Sequence, residues 1–195
     1  MRIVAGQFRG RALVAPEDDR TRPTSDRVRE ALFNVLAHGI AEFHLEGARV
    51  LDLFAGTGAL GLEAISRGAK LCLFVEDDPH PRGLIRQNVE AFGLTGITRI
   101  WRRDATNLGT ANLRDRFDLV FLDPPYGKGL GERGLVAARD GGWLDDGAIV
   151  VFEESADSVI DWPTGFAVLD TRQWGGAQVH FARFTADSAA STPHA

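Results

Sequence analysis

Val50-Leu51-Asp52-Leu53-Phe54-Ala55-Gly56-Thr57-Gly58-Ala59-Leu60-Gly61 is the stretch whose reading decides the fold. Its first half is a short, nearly continuous apolar run, as expected of a strand over 50–54 buried on both faces of a parallel sheet. Its second half is a glycine-rich turn that opens a helix running from about Ala59 to Arg67. Glycines permit a tight turn, and their missing side chains let a ligand approach the backbone, while the helix start adds oriented N–H donors. Glu76 follows twenty residues after Gly56, at the end of the next apolar run (Leu71–Val75). A carboxylate there can accept hydrogen bonds from both ribose hydroxyls of a nucleoside.

Gly56-x-Gly58-x-x-Gly61 also matches the dinucleotide fingerprint, so a nicotinamide-dependent oxidoreductase is the first rival. Asp52 argues against it. A carboxylate just before the turn would repel a pyrophosphate. Beside S-adenosylmethionine it would face a cationic amino group and a sulfonium, and repulsion becomes attraction. Phe54, Ala55, Gly56, Gly58, Glu76 and Asp77 are therefore candidate contacts to that cofactor.

Outward from this stretch, short apolar runs alternate with helical patterns. Helices are expected over Pro81–Phe92 and Leu130–Arg139, and strands over Ile97–Arg102, Asp118–Leu122 and Ala148–Phe152. Ala167–Arg172 and Gln178–Phe184, around Trp174-Gly175-Gly176, read as a terminal antiparallel hairpin. Upstream, Met1–Ala5 and Arg11–Ala15 read as two short strands, and Ser25 can cap a helix from Asp26 to about Ala37. In that helix Val28, Ala31, Leu32, Val35 and Leu36 form an apolar face, with Arg27, Arg29 and Glu30 off it. The fold class is α/β: a doubly wound, mostly parallel Rossmann-like sheet with a C-terminal antiparallel hairpin and a small N-terminal β-hairpin plus helix extension. The expected division is a basic extension over residues 1–40, the main domain over 41–185 and a disordered tail over 186–195.

Charge is uneven along the 195 residues. The net value is −5, yet the first 29 residues carry seven arginines against four acids, a local +3 that leaves −8 on the rest. A basic arm on an acidic body suits contact with a polyanion, and Arg9 and Arg11 are the candidate phosphate contacts. The single cysteine, Cys72, excludes an internal disulfide and a multi-cysteine zinc site, and no metal is expected. Neither a secretory apolar region nor a membrane span is seen. The Arg-rich start lacks the serine of a transit peptide, so a cytoplasmic location is expected.

Leu122-Asp123-Pro124-Pro125-Tyr126 is the most specific chemical signal. Two prolines fix their own backbones and remove two N–H donors, and Pro124 pushes Asp123 away from helical geometry. The turn is stiff and rich in acceptors, which suits an exocyclic amine whose two N–H donors must be held while its lone pair is aimed. Transfer would be a direct in-line displacement, driven by orientation and preorganised electrostatics. Tyr126, the only tyrosine, can stack on an extruded base. After the third strand, Asp104 can accept from an adenine amino group and the N–H of Ala105 can serve a ring nitrogen. Capping the next turn is the alternative for Asp104.

At these residues the chain resembles class I methyltransferases bearing an Asp/Asn-Pro-Pro-Tyr/Phe motif. The segments Arg2–Arg11, Arg22–Phe33 and Leu51–Ala64 are similar to the bacterial small-subunit rRNA guanine-N2 methyltransferases of the RsmD type. The resemblance spans residues 1 to about 184. It implies methylation of a guanine N2 in 16S rRNA (position 966 in the family's rRNA numbering), within the small ribosomal subunit or its late assembly intermediate, by a monomer. It also implies that Thr24–Arg27 closes over the cofactor, with Arg27 near its carboxylate. A DNA or protein amine methyltransferase is the nearest alternative, although a chain this short leaves no room for a large target-recognition insert. A non-catalytic RNA-binding module is disfavoured by the intact Asp123 beside an intact glycine turn.

Overall fold

The computed structural model describes residues 1–16, 25–112 and 114–186. Seven strands form one sheet: β1 (Arg49–Leu53), β2 (Leu71–Val75), β3 (Thr98–Trp101), β4 (Phe117–Leu122), β5 (Leu144–Ser155), β6 (Phe166–Trp174) and β7 (Ala177–Phe184). Their spatial order is β3-β2-β1-β4-β5-β7-β6. The first five are parallel; β7 runs antiparallel to β5, and β6 antiparallel to β7. The order reverses between β1 and β4, so the crevice at their carboxyl ends is the topological switch point where such sheets bind ligands.

Four helices cover the sheet: α1 (Asp26–His38), α2 (Ala59–Ser66), α3 (Pro79–Phe92) and α4 (Leu130–Asp140). α1, α2 and α3 pack on one face with Phe74, Phe121, Val151 and Phe181, and α4 packs on the other with Val120, Leu122, Val150 and Phe152. Strands buried on both sides explain the continuous apolar runs. Burying each such side chain stabilises the fold by about 1.5–3 kcal/mol.

Several boundaries move, each for a local reason. α3 begins at Pro79, two residues earlier than expected, because the Asp78 side chain accepts from the His80 N–H at 2.8 Å and proline suits the first helical turn. β5 is longer than its apolar run because it pairs with β7 as far as Ser155. The N-terminal hairpin is reduced to a single bridge, Arg2 with Ala12. Backbone bonds also cross it, from the Ile3 N–H to Arg11 (2.9 Å), the Gly10 N–H to Ile3 (2.9 Å) and the Leu13 N–H to Met1 (3.1 Å), while the Val4 and Ala5 N–H groups donate to Glu63 and the Val14 N–H to Asn88.

α1 brings a larger correction. Its buried stripe is Arg29, Leu32, Phe33 and Leu36, so Arg29 lies on the buried face, fully covered, rather than off it. Glu63 on α2 compensates it at 3.4 Å and Asp26 at 2.9 Å, and its guanidinium also donates to the Arg2 carbonyl. Arg67 reaches the other Glu63 oxygen at 2.7 Å. Glu63 thus joins the N-terminal segment and α1 to the helix that starts at the glycine turn. No described helix is long and apolar enough to cross a membrane. Residues 187–195 of the expected tail lie outside the described residues.

Candidate active site

The glycine turn follows β1 and the Asp123–Tyr126 turn follows β4, and these strands are paired neighbours, Leu53 beside Leu122. Both turns therefore meet at the switch point. The three glycines do different work. Gly56 and Gly58 have φ of 53° and 76°, a region that favours glycine, and Phe54 shares it at 57° despite its side chain. Gly61 is needed for packing: a Cβ there would meet the Phe74 ring at 2.4 Å and the Cys72 Sγ at 2.6 Å. Cys72 is buried, which pushes its thiol well above the ordinary range.

Three carboxyl groups line this end of the sheet. Asp52 is buried and accepts the Gly61 N–H at 3.0 Å; burial and the Glu76 charge push it up to about 8. Glu76 accepts the Gly56 N–H at 2.8 Å and the Asp78 N–H at 2.9 Å, and burial likewise raises it. Asp123 retains some solvent contact, yet burial and the charges of Glu153, Asp52 and Glu154 raise it well above the carboxylate range. No hydrogen bond from the protein relieves Asp123 among the described residues.

Phe54, Glu76, Asp77, Asp104 and Ala105, five residues singled out from the sequence, line one small cleft together with Val75 and Arg103. Asp104 is exposed, and its Oδ1 accepts both the N–H (2.8 Å) and the hydroxyl (2.7 Å) of Thr106, which hold its carboxyl below the usual range. A local turn therefore uses one Asp104 oxygen. A larger cleft, of about 420 Å³, opens at the opposite ends of the strands beside His44, Glu46, Asp118 and Asp146, and holds none of the predicted site residues.

In the tetrad, Pro124 is buried, Pro125 exposed, and Tyr126 41% exposed at the rim. The Tyr126 hydroxyl donates to Glu153 at 2.5 Å, and the Gly127 N–H donates to Glu154 at 3.1 Å. Glu153 and Glu154 were missed by the sequence reading. The available signal was their place just after the apolar run of β5, beside the Leu122 strand end.

Among the arm residues, Arg9 is exposed. Arg11 lies 4.1 Å over the Phe92 ring and donates to the Ala91 carbonyl at 2.7 Å, so it fastens the arm to α3. Arg27 is exposed on α1, and Thr24 lies outside the described residues. His80 is exposed in the first turn of α3.

Comparison with known proteins bears on the same features. The family model Conserved hypothetical protein 95 matches residues 1–183. Ribosomal RNA small subunit methyltransferase D of Escherichia coli K12 is 39% identical over 158 residues, covering 81% of this chain and 76% of that protein. The solved structure of yhhF from Escherichia coli superposes with a TM-score of 0.81 at 32% identity, covering 95% of this chain and 98% of the other. The 16S rRNA N2 G1207 methyltransferase RsmC of Thermus thermophilus, solved in complex with AdoMet and guanosine, is similar with a TM-score of 0.60 at 25% identity, over 86% of this chain and 44% of that one.

Proposed function

The chain belongs to the Conserved hypothetical protein 95 family, the RsmD-type rRNA methyltransferases, and from that premise we propose that it transfers a methyl group from S-adenosylmethionine to the exocyclic N2 of a guanine in 16S rRNA of the small ribosomal subunit, in the cytoplasm. The observation that carries the reading is Asp123. It is a half-buried carboxyl group that accepts no hydrogen bond from the described residues, set in a double-proline turn one strand away from the glycine turn.

The residues at the switch point fit the cofactor. The buried Asp52 and Glu76 and the half-buried Asp123 together form an acidic set that no described cation neutralises, which favours a ligand carrying positive charge. When bound, S-adenosylmethionine supplies an electrophilic methyl group on a sulfonium. Asp52 answers its positive charge. Glu76 accepts from the ribose hydroxyls, using the lone pairs left after its two backbone bonds. Asp104 and the Ala105 N–H serve the adenine. Phe54 and Asp77, which line the small cleft, and Ala55, Gly56 and Gly58 of the glycine turn complete the proposed cofactor contacts, with Arg27 assigned to its carboxylate; Thr24, the other cofactor candidate, lies outside the described residues.

On the substrate side, Asp123 and the carbonyls of the Pro124-Pro125 turn accept the amine hydrogens and aim the nitrogen lone pair. Tyr126 stacks on the extruded base. Orientation and preorganised acceptors supply the catalysis, without a covalent protein intermediate. The proton lost from the methylated nitrogen passes to water, since such an ammonium-like product is strongly acidic. Arg9 contacts RNA phosphate, with Arg11 the weaker partner because Phe92 and Ala91 already hold it. Labelled cofactor supplied with small subunits lacking the modification tests the reading: nucleoside mass spectrometry should find N2-methylguanosine, and N6-methyladenosine would overturn it.

A further inference from the structure

Leu122 pairs with Phe152, so the residues that follow them, Asp123 and Glu153, sit side by side at the carboxyl ends of β4 and β5. Strand neighbours of this kind lie about 4.8 Å apart. Phe121 and Val151, two residues earlier, both face the α1–α3 side, and alternation along a strand puts Asp123 and Glu153 on that side too. The charge of Glu153 is the first of those that raise Asp123, as expected of carboxyl groups at close range. Glu153 also receives the Tyr126 hydroxyl at 2.5 Å. One side chain therefore touches the residue proposed to stack on the base and adjoins the residue proposed to hold its amine.

Guanine presents two donors side by side, the N2 amine and the N1–H. An amine held at Asp123 leaves the N1–H next to it, towards one neighbouring strand. Adenine and 2-aminopurine carry an acceptor at N1. A carboxylate accepts at up to about four positions and donates at none, so it welcomes the first edge and repels the second. We propose that Glu153 is the specificity-determining residue of this site: its carboxylate accepts the N1–H of the target guanine beside the amine held at Asp123, while its bond to Tyr126 keeps the stacking ring at the rim. The inference rests on the guanine-N2 reading and adds how the base is chosen.

Glu153→Gln tests it. The amide oxygen can still accept the Tyr126 hydroxyl, and the amide N–H can now donate to an N1 acceptor. Small subunits are reconstituted with 16S rRNA carrying either guanine or 2-aminopurine at the target position, both of which keep the 2-amino group. The ratio of kcat/KM for the two bases is then compared between the wild-type chain and E153Q. A site built to satisfy a substrate N–H rejects an analogue lacking it by orders of magnitude, and a buried unpaired group explains why. The wild-type preference for guanine should be on the order of a hundredfold or more, and E153Q should shrink it at least about tenfold. Contacts to O6 are absent from 2-aminopurine with both proteins, so they cancel in the comparison. An unchanged ratio in an E153Q protein that still methylates guanine would overturn the inference, as a residue that only holds Tyr126 would leave base choice alone. If E153Q does not fold, Glu153→Asp serves: drawing the carboxylate back by one methylene should raise KM for the guanine subunit about tenfold, and full guanine activity would overturn the inference. A wild-type product other than N2-methylguanosine would instead sink the reading beneath it, and is seen before any ratio is taken.

Discussion

Binding of S-adenosylmethionine should expel a proton from Asp52. The group is buried, accepts one hydrogen bond from Gly61 and sits at about 8 in the free protein. At pH 7 it is therefore mostly neutral. A cation placed about 5 Å away at an effective dielectric constant of about 20 attracts the ionised form by roughly 3 kcal/mol, or about 2.4 pKa units. The carboxyl in the complex then titrates near 5.6, and binding at pH 7 releases about 0.9 proton. Between the two values the ionised, tight-binding form must be generated against its burial, so affinity rises with pH. From pH 6 to pH 8.5 Kd should fall about fiftyfold, with most of the gain below pH 8. Glu76, also raised by burial, adds to the slope in the same direction.

Isothermal titration calorimetry at several pH values, in buffers of different ionisation enthalpy, reads both quantities. Asp52→Asn should bind with a much shallower pH dependence and less proton release, keeping only the part that Glu76 contributes. Its curve should meet that of the wild type near pH 5 and lie on the order of a hundredfold or more weaker at pH 8.5. S-adenosylhomocysteine, with one positive charge fewer, should show a shallower dependence. Stability moves the other way. Because the folded value of Asp52 is raised above the unfolded one of about 3.9, its contribution is fully present below pH 4 and is lost as pH rises through 8. Asp52→Asn should thus raise Tm of the free protein at pH 8 while weakening the cofactor. A Kd for the wild type that is flat from pH 6 to 8.5, with no buffer-dependent heat, would refute the placement of a cation beside Asp52.

Other perturbations separate the roles of single residues. Asp123→Ala should keep cofactor affinity within a few-fold and lower kcat by on the order of a hundredfold, the scale for losing a preorganised polar contact; near-normal turnover would remove Asp123 from the chemistry. Glu63→Ala removes one of the two carboxylates that answer the fully buried Arg29 and leaves the Val4 and Ala5 N–H groups without their acceptor, a loss of about 1–3 kcal/mol and a fall in Tm of several degrees by calorimetry. A change under about 1 kcal/mol there would mean that Asp26 alone suffices. Arg9→Ala should weaken RNA binding and reduce its salt slope by about one, whereas Arg11→Ala should act mainly on stability by freeing the arm from Phe92; equal salt slopes in Arg9→Ala and wild type would exclude the arm as a phosphate contact.

The parallel core was legible because its strands are buried on both faces and written as uninterrupted apolar runs. The C-terminal hairpin announced itself through a glycine turn between two alternating segments. Legibility failed where a partner lies far along the chain. α1 could be read as a helix, but its two candidate faces differ by one residue, and a stripe headed by an arginine looks wrong until Glu63 is known to stand opposite. That ion pair spans 34 residues and leaves no periodic trace. The N-terminal strands are shorter than expected for the same reason: the two arms do pair around Arg2 and Ala12, but the N–H groups of Val4, Ala5 and Val14 go to Glu63 and Asn88.

The site divides along the same line. Turns encode themselves, so Gly56, Gly58 and the Asp123–Tyr126 tetrad could be found from residue types alone, and five of the residues chosen for the cofactor do line one cleft. Glu153 could not be found this way. On its own strand it is one acid next to another after an apolar run, with nothing to distinguish it from Glu154. Only the register of β4 against β5 sets it beside Asp123 and under Tyr126, while Glu154 turns to the Gly127 N–H. The two acids thus have separate work: Glu154 fixes the end of the tetrad, and Glu153 faces the place where a base would enter. A local motif can specify the group that is methylated, because holding an amine takes one turn. Choosing among bases that share that amine takes a second acceptor at a fixed offset, and in this fold the neighbouring strand supplies it.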